Sequence, residues 1–271
     1  YRSELAAVVG TAEATAMMRT IFRETFGWDA AEVELQRHAR LSESELLKVY
    51  LPLGRLRKGE PLQYVLGHTW FLGMRLLVAP DVLIPRPETE EMVDMIRQQG
   101  KDRRRMLDVG TGSGCIAVGL KASYPNSEVF GMDISERTLA VARQNGTTQG
   151  LSITWLQSDV LAAATEFPGT LDLVVSNPPY VPRTEAHGMA PQVIDHEPHL
   201  ALFVDDAEPL LFYQRIADKA FRALKQGGEL WFEGHYQHAG AVGELLTGLN
   251  YRNVQVLPDM SGTPRFIRAV R

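Results

Sequence analysis

Arg105-Met106-Leu107-Asp108-Val109-Gly110-Thr111-Gly112-Ser113-Gly114, followed by the apolar run from Cys115 to Tyr124, reads as a strand, a glycine turn and a helix. Glycines at such a turn let the backbone approach a ligand closely. A dinucleotide fingerprint would place its third glycine at position 115, which is Cys115, so that fingerprint is not met. Asp108, just ahead of the glycines, opposes a pyrophosphate and suits an ammonium group. From Arg105 onward strands and helices alternate, which predicts a mostly parallel, doubly wound α/β sheet. Its last strands are expected at 228–233, 254–257 and 265–270.

Two acidic strand ends extend the pattern. Glu128 to Met132 reads as a strand ending in Asp133, placed to hold two ribose hydroxyls. Ile153 to Gln157 leads to Ser158-Asp159-Val160, where a carboxylate can accept from an adenine amino group. Asp133 also suits the start of the helix that follows, because Asp is favoured there. Gly110, Thr111, Gly112, Ser113 and Gly114 together with Asp108, Asp133, Asp159 and Val160 therefore outline a pocket for S-adenosyl-L-methionine. A glycine turn alone would not do so.

The apolar run Leu171 to Ser176 reads as a buried strand that ends at Asn177-Pro178-Pro179-Tyr180. Two prolines stop the strand and cannot start a helix there. The Asn177 carboxamide is thus expected at a strand's carboxyl end, where open α/β sheets bind ligands. The Asn177 oxygen and the Pro178 carbonyl can each accept one N–H of a planar amino group. Pro179 and Tyr180 complete the wall, and Asn177 also borders the cofactor. Tyr180 taken alone is an ordinary packed aromatic.

The N-terminal stretch reads as helical. Leu5, Val8, Val9, Met17, Met18, Ile21, Phe22 and Phe26 are spaced for a helix face, and Gly27 closes it. Ser42-Glu43-Ser44-Glu45 is a capping box opening a helix through Leu46, Leu47, Tyr50 and Leu53. Tyr64 to Leu66 and Met74 to Val78 read as strands of a hairpin, and Pro87 sits in the first turn of a helix running to about Gln99. The expected division is a helical domain over 1–62, a β-hairpin over 63–82 and the sheet domain over 83–271.

Composition limits the partners. A net charge of −5 over 271 residues argues against affinity built on a basic phosphate-binding surface, so no stable nucleic-acid binding is expected. The clusters Arg55, Arg57, Lys58 and Lys101, Arg103, Arg104, Arg105 read as solvated helix ends and a loop. The single Cys115 excludes an internal disulfide, reads as a small core residue and points to a reducing, cytoplasmic compartment. No apolar run is long enough to span a membrane, and no signal peptide is visible, although a sequence starting at Tyr1 leaves a short leader open. The long loop from Val181 to Phe203 carries His187, Asp195, His196, Glu197 and His199; their spacing fits no metal site, and the loop reads as one that covers substrate.

These residues resemble the HemK/PrmC protein-glutamine N5-methyltransferases along essentially the whole chain. Gly59 to Gly67 with Phe71-Leu72-Gly73 is similar to that family's interdomain hairpin, and Leu83-Ile84-Pro85-Arg86-Pro87-Glu88-Thr89-Glu90 to its most particular signature. Asp108 to Gly114, Asn177 to Tyr180, Glu197-Pro198 and Glu233-Gly234 follow its cofactor, amide, acidic-loop and closing motifs. The resemblance implies a seven-stranded methyltransferase domain and an N-terminal all-α domain that helps grip the substrate. It implies methyl transfer to the glutamine of the Gly-Gly-Gln motif in class-one peptide chain release factors, with S-adenosyl-L-homocysteine as product and Glu197 near the substrate. Val160 stands where some members carry Trp, and Phe232 where others carry Leu. A ribosomal-protein glutamine methyltransferase would place Ser after Arg86. An adenine-N6 nucleic-acid methyltransferase, which also uses Asn-Pro-Pro-Tyr, would need a basic target-recognition region. A non-catalytic ribosome-associated module would not need Asp108, Asp133 and Asn177 intact.

Overall fold

Helix signals dominate the first part of the computed structural model, which describes residues 1–271. The chain divides into two units, residues 1–68 with 190–196, and residues 69–189 with 197–271. The first unit holds α1 (Arg2–Val9), α2 (Thr11–Phe26), α3 (Ala30–Leu35), α4 (Glu43–Leu56) and α5 (Leu62–Leu66). Gly27 closes α2 in the left-handed conformation, and capping boxes Asp29/Glu32 and Ser42/Glu45 open α3 and α4. Its core is Leu5, Ala14, Met17, Ile21, Val49, Leu53 and Leu56, with Leu62, Val65 and Leu66 packed on it.

One expectation fails here. Tyr64 to Leu66 is helical rather than extended, because Pro61 fits just ahead of a first turn and Gly67 supplies a left-handed cap at φ 75°. The helix expected through Leu46, Leu47, Tyr50 and Leu53 is present as α4. Val49, Leu53 and Leu56 form the buried stripe of α4, and Leu46, Leu47, Tyr50 and Leu51 are exposed on the rest of it.

A short hairpin, β1 (His68–Phe71) and β2 (Met74–Leu77), leads into the second unit, where Phe71 and Leu76 are fully part of the core. There follow α6 (Pro87–Gln98), β3 (Arg105–Val109), α7 (Cys115–Ser123), β4 (Glu128–Asp133), α8 (Glu136–Thr148), β5 (Thr154–Gln157), β6 (Leu171–Ser176) and β7 (Val181–Pro182). After α9 (Pro191–His196), which clusters with the first unit, come α10 (His199–Leu202), β8 (Phe203–Val204), α11 (Leu211–Ala223), β9 (Leu224–Glu233), α12 (Ala239–Gly248), β10 (Arg252–Pro258) and β11 (Pro264–Val270).

Seven strands form one sheet in the order β10-β11-β9-β6-β3-β4-β5. Pairings from β9 through β5 are parallel, and β11 runs antiparallel to both neighbours. Alternate residues of the strands feed two cores. Leu107, Val109, Val174 and Phe232 pack with α11 and α12 on one face. Met106, Leu173, Val175 and Trp231 pack with α6 and α7 on the other. Every residue of β6 is buried, as a central parallel strand covered on both faces requires. Strand order reverses at β3, with β4 and β5 added on one side and β6 and β9 on the other, so the carboxyl ends of β3, β4 and β6 open a crevice at this switch point.

The basic clusters are not simply solvated. Arg103 is buried and, with Lys101 and Arg268, pairs with Glu229. Burial raises the Glu229 carboxyl, but these three cations outweigh it and hold it down at about 2. Arg55 is likewise tied to Glu60 and to the Tyr64 and Val65 carbonyls.

Candidate active site

A cleft of about 350 Å³ occupies the switch point, a size typical of small-molecule sites. The glycine turn and the ends of β4, β5 and β6 line it. Of the residues expected to bind cofactor, Gly110, Gly112, Asp133, Asp159, Val160 and Asn177 reach its wall, and so do Pro178 and Pro179. Pro80 to Leu83, Pro198, Leu200, Ala201, Phe212 and Ile216 complete it. The carboxylates of Asp81, Asp133 and Asp159 border it, and no Lys, Arg or His does. Such a wall repels phosphate and suits a ligand bearing positive charge and hydroxyl or amino donors.

The glycine turn is shaped by its own strand end. Asp108 is fully buried, and its Oδ2 accepts from the Thr111 hydroxyl at 2.5 Å and the Ala117 N–H at 3.1 Å. Burial pushes its carboxyl up to about 7, and its Oδ1 has no partner in the chain. Thr111, Ser113 and Gly114 are buried behind the turn and do not line the cleft. Gly114 has φ 81°, and a Cβ there would lie 2.9 Å from the Trp155 ring and 3.1 Å from Ala142, so only glycine fits.

Asp133 is held by both its oxygens. Oδ2 accepts from the Gly112 N–H at 3.1 Å and Oδ1 from the Ser135 N–H at 3.0 Å, while partial burial raises its carboxyl above the usual range. The helix cap is Ser135, whose hydroxyl accepts from the Thr138 N–H. Asp159 Oδ1 accepts from the Leu161 N–H at 2.8 Å.

At the end of β6 the Asn177 carboxamide is oriented by a neighbour. Its Nδ2 donates to Thr89 Oγ1 at 3.2 Å, and Thr89 in turn donates to Glu233 Oε2 at 2.7 Å. The Asn177 Oδ1 and the Pro178 carbonyl accept no hydrogen bond from the chain. Tyr180 lies beside the cleft rather than in its wall and donates its hydroxyl to Glu233 Oε1 at 3.2 Å. Desolvation, reinforced by the nearby Glu233, holds the Tyr180 phenol well above its ordinary value.

Glu197 does not reach the cleft wall. It is buried, accepts from the Ile84 N–H at 3.2 Å and pairs with Arg86 at 2.7 Å, and so fixes the Leu83 to Glu90 segment. Of the loop expected to cover substrate, Pro198, Leu200 and Ala201 do line the cleft. No group of three or more His, Cys, Asp or Glu side chains is arranged to hold a metal ion. Residue-by-residue reading of the sequence assigned no role to Thr89, Glu233 or Phe212. Glu233 ends an apolar strand, and a buried acid at that position was the available signal.

The family model described as "PrmC N-terminal domain" matches residues 1–67, and that described as "Methyltransferase small domain" matches residues 88–200. A release factor glutamine methyltransferase from Bacteroides thetaiotaomicron is 40% identical over 270 residues, covering 100% of this chain and 97% of that one. One from Flavobacterium psychrophilum is 37% identical over 242 residues, covering 88% and 85%. Among solved structures, a methyltransferase from Pyrococcus furiosus superimposes with a TM-score of 0.53 at 18% identity, over 73% of this chain and 89% of that one. A Thermus thermophilus 16S rRNA methyltransferase in complex with AdoMet and guanosine gives 0.54 at 19%, over 75% and 49%. At those identities the structures speak for the fold alone: a Rossmann-like methyltransferase domain. The near full-length identity to the curated relatives goes further, and with the cleft at the switch point of that fold it makes this chain a methyltransferase belonging to the release factor glutamine methyltransferase family.

Proposed function

We propose that this enzyme transfers a methyl group from S-adenosyl-L-methionine to the side-chain amide nitrogen of the Gly-Gly-Gln glutamine in class-one peptide release factors. The observation that carries the reading is the Asn177 carboxamide, fixed through its nitrogen with its oxygen unengaged, beside an unengaged Pro178 carbonyl at a cleft without cations. Two acceptors side by side match the two hydrogens of a primary amide.

The donor set suits the cofactor. Asp133 would hold ribose hydroxyls, Asp159 an amino group of the base, and Gly110 to Gly112 would bring backbone against the amino-acid end. Thr111, Ser113 and Gly114 shape that turn from behind. Asp108 is fully buried and does not line the cleft, but its oxygen without a partner behind the glycine turn suits an ammonium donor. Phe212 and Val160 supply apolar cover for the base. When bound, S-adenosyl-L-methionine supplies an electrophilic methyl on a sulfonium.

The chain's own contribution is orientation. An amide nitrogen is a poor nucleophile because its lone pair is delocalised. Accepting both N–H groups on Asn177 Oδ1 and the Pro178 carbonyl fixes the nitrogen and favours the positive charge that develops on it. Tyr180, anchored by Glu233, closes the side of this site against water. No Cys or His lines the cleft, and its hydroxyls are engaged in the chain's own bonds: Ser176 with the Val109 carbonyl, Thr138 with the Asp81 carbonyl, Ser158 with Thr165 and Ser135 with the Thr138 N–H, so none is paired with a base as an activated nucleophile would be. Pro179 stiffens the turn, and Glu197 acts from behind it by bracing Ile84 and Arg86.

No helix is long and apolar enough to cross a membrane. The single buried cysteine supports action in a reducing, cytoplasmic compartment. The reading is tested by incubating the protein with methyl-labelled S-adenosyl-L-methionine and a release factor. Label should enter the factor and be lost when its Gly-Gly-Gln glutamine is replaced. Equal labelling of the replaced factor overturns the assignment.

A further inference from the structure

Glu233 lies one residue beyond the Ser176–Phe232 pairing of β6 with β9, so it stands next to Asn177 across the sheet end. It is 1% exposed, and no cation forms an ion pair with it; the nearby Arg265 pairs with Asp259 instead. A buried carboxylate without a paired cation is costly, and such groups persist where they have a task. Here two hydroxyls satisfy it, Thr89 on Oε2 and Tyr180 on Oε1.

The consequence lies in the direction of the bonds. Thr89 has one hydrogen. The ionised Glu233 takes it, so Thr89 can offer Asn177 only a lone pair, and only the Nδ2 side of the carboxamide can meet a lone pair. Without this constraint the amide could turn over and present its NH2 group to the substrate, where it would repel the amide hydrogens it should accept. Glu233 also holds Tyr180, so it fixes both ends of the Asn177-Pro178-Pro179-Tyr180 turn.

The geometry points to Thr89 and Glu233 as positioning residues that set which face of the Asn177 carboxamide meets the substrate amide, an inference that rests on the proposed role of Asn177. Neither touches the reacting atoms. Thr89 acts through Asn177 alone, so its effect should vanish when that side chain is absent, whereas Glu233 also acts through Tyr180.

The test is a mutant cycle read by single-turnover methylation of a release factor, with S-adenosyl-L-methionine affinity measured in parallel. Thr89→Val keeps the shape and removes the hydroxyl. It should lower the chemical step by about 10-fold or more, as misplacement of a reacting pair does, with cofactor affinity and KM for the factor little changed. Thr89→Ser should restore the rate to within about threefold, the residual expected when the hydroxyl contact is kept. Added to Asn177→Ala, Thr89→Val should cost nothing further. A Thr89→Val rate within twofold of the parent, or a full additional loss on top of Asn177→Ala, overturns the inference. If Thr89→Val melts below the assay temperature, Thr89→Ala carries the same cycle. Normal chemistry in Asn177→Ala alone would instead overturn the reading beneath it.

Discussion

Asp133 Oδ2 accepts the Gly112 N–H at 3.1 Å, so the carboxylate at the end of β4 is locked to the glycine turn at the end of β3. The two strands that build the cofactor side of the cleft are thereby held in one geometry before any ligand arrives. Asp133→Ala removes both this brace and the proposed ribose acceptor. It should weaken S-adenosyl-L-methionine binding by about 1.5–3 kcal/mol, the worth of hydrogen bonds to a charged group. Unchanged affinity in a calorimetric titration would remove Asp133 from the cofactor site.

Asn177→Ala addresses the chemistry. Loss of one transition-state partner typically costs about 100-fold or more, so single-turnover methylation should fall by that order. Cofactor affinity should change far less. A near-normal rate would show that another group holds the glutamine amide.

The two buried acids make a pH prediction. Burial pushes Asp108 and Glu233 each up to about 7, well above the range in which they titrate in an unfolded chain. Thr89, Tyr180 and Arg265 favour ionised Glu233, and Glu88 opposes it, without cancelling the desolvation. Between about pH 4 and pH 7 the folded chain keeps protons that the unfolded chain has released, so these groups' contribution to stability is complete at low pH and fades as pH rises through 7. Asp108→Asn mimics the protonated form. The melting temperature of the parent relative to this variant should therefore be higher at about pH 5 than at about pH 8. A difference independent of pH would contradict the assignment.

Recognition of the whole factor should depend on the helical unit. Leu46, Leu47, Tyr50 and Leu51 leave an exposed apolar strip on α4, and contact remote from the reacting atom is needed to select one glutamine among many. Leu47→Ser combined with Tyr50→Ser should raise KM for an intact release factor several-fold and leave methylation of a short Gly-Gly-Gln peptide unchanged. Equal effects on both substrates would assign the strip another role.

Much of this arrangement was legible in the chain because periodicity and punctuation coincide. Alternating strands and helices, the Gly110 to Gly114 turn and the double proline after Asn177 each have one conformational outcome, and the sheet follows from them. Tyr64 to Leu66 was misread because three apolar residues carry no period, and the flanking Pro61 and Gly67 decide such a segment. Which side of α4 is buried was not legible, because Leu46, Leu47, Tyr50 and Leu51 make it apolar on more than one side. The Thr89–Glu233 pair was hidden for a different reason: residues 144 apart meet only once β9 lies beside β6, and nothing local to either marks the contact. Glu197 is similar, since its partners Ile84 and Arg86 are brought to it by the fold.

The central claim is that this cleft methylates a glutamine amide nitrogen, and the most direct measurement is the mass-spectrometric location of the added methyl. A release factor treated with the enzyme and S-adenosyl-L-methionine, then digested and fragmented, should carry one methyl on the side-chain nitrogen of the Gly-Gly-Gln glutamine, and none when the enzyme is the Asn177→Ala variant. A methyl found on a different residue, or on that glutamine to equal extent with the variant, would contradict the account.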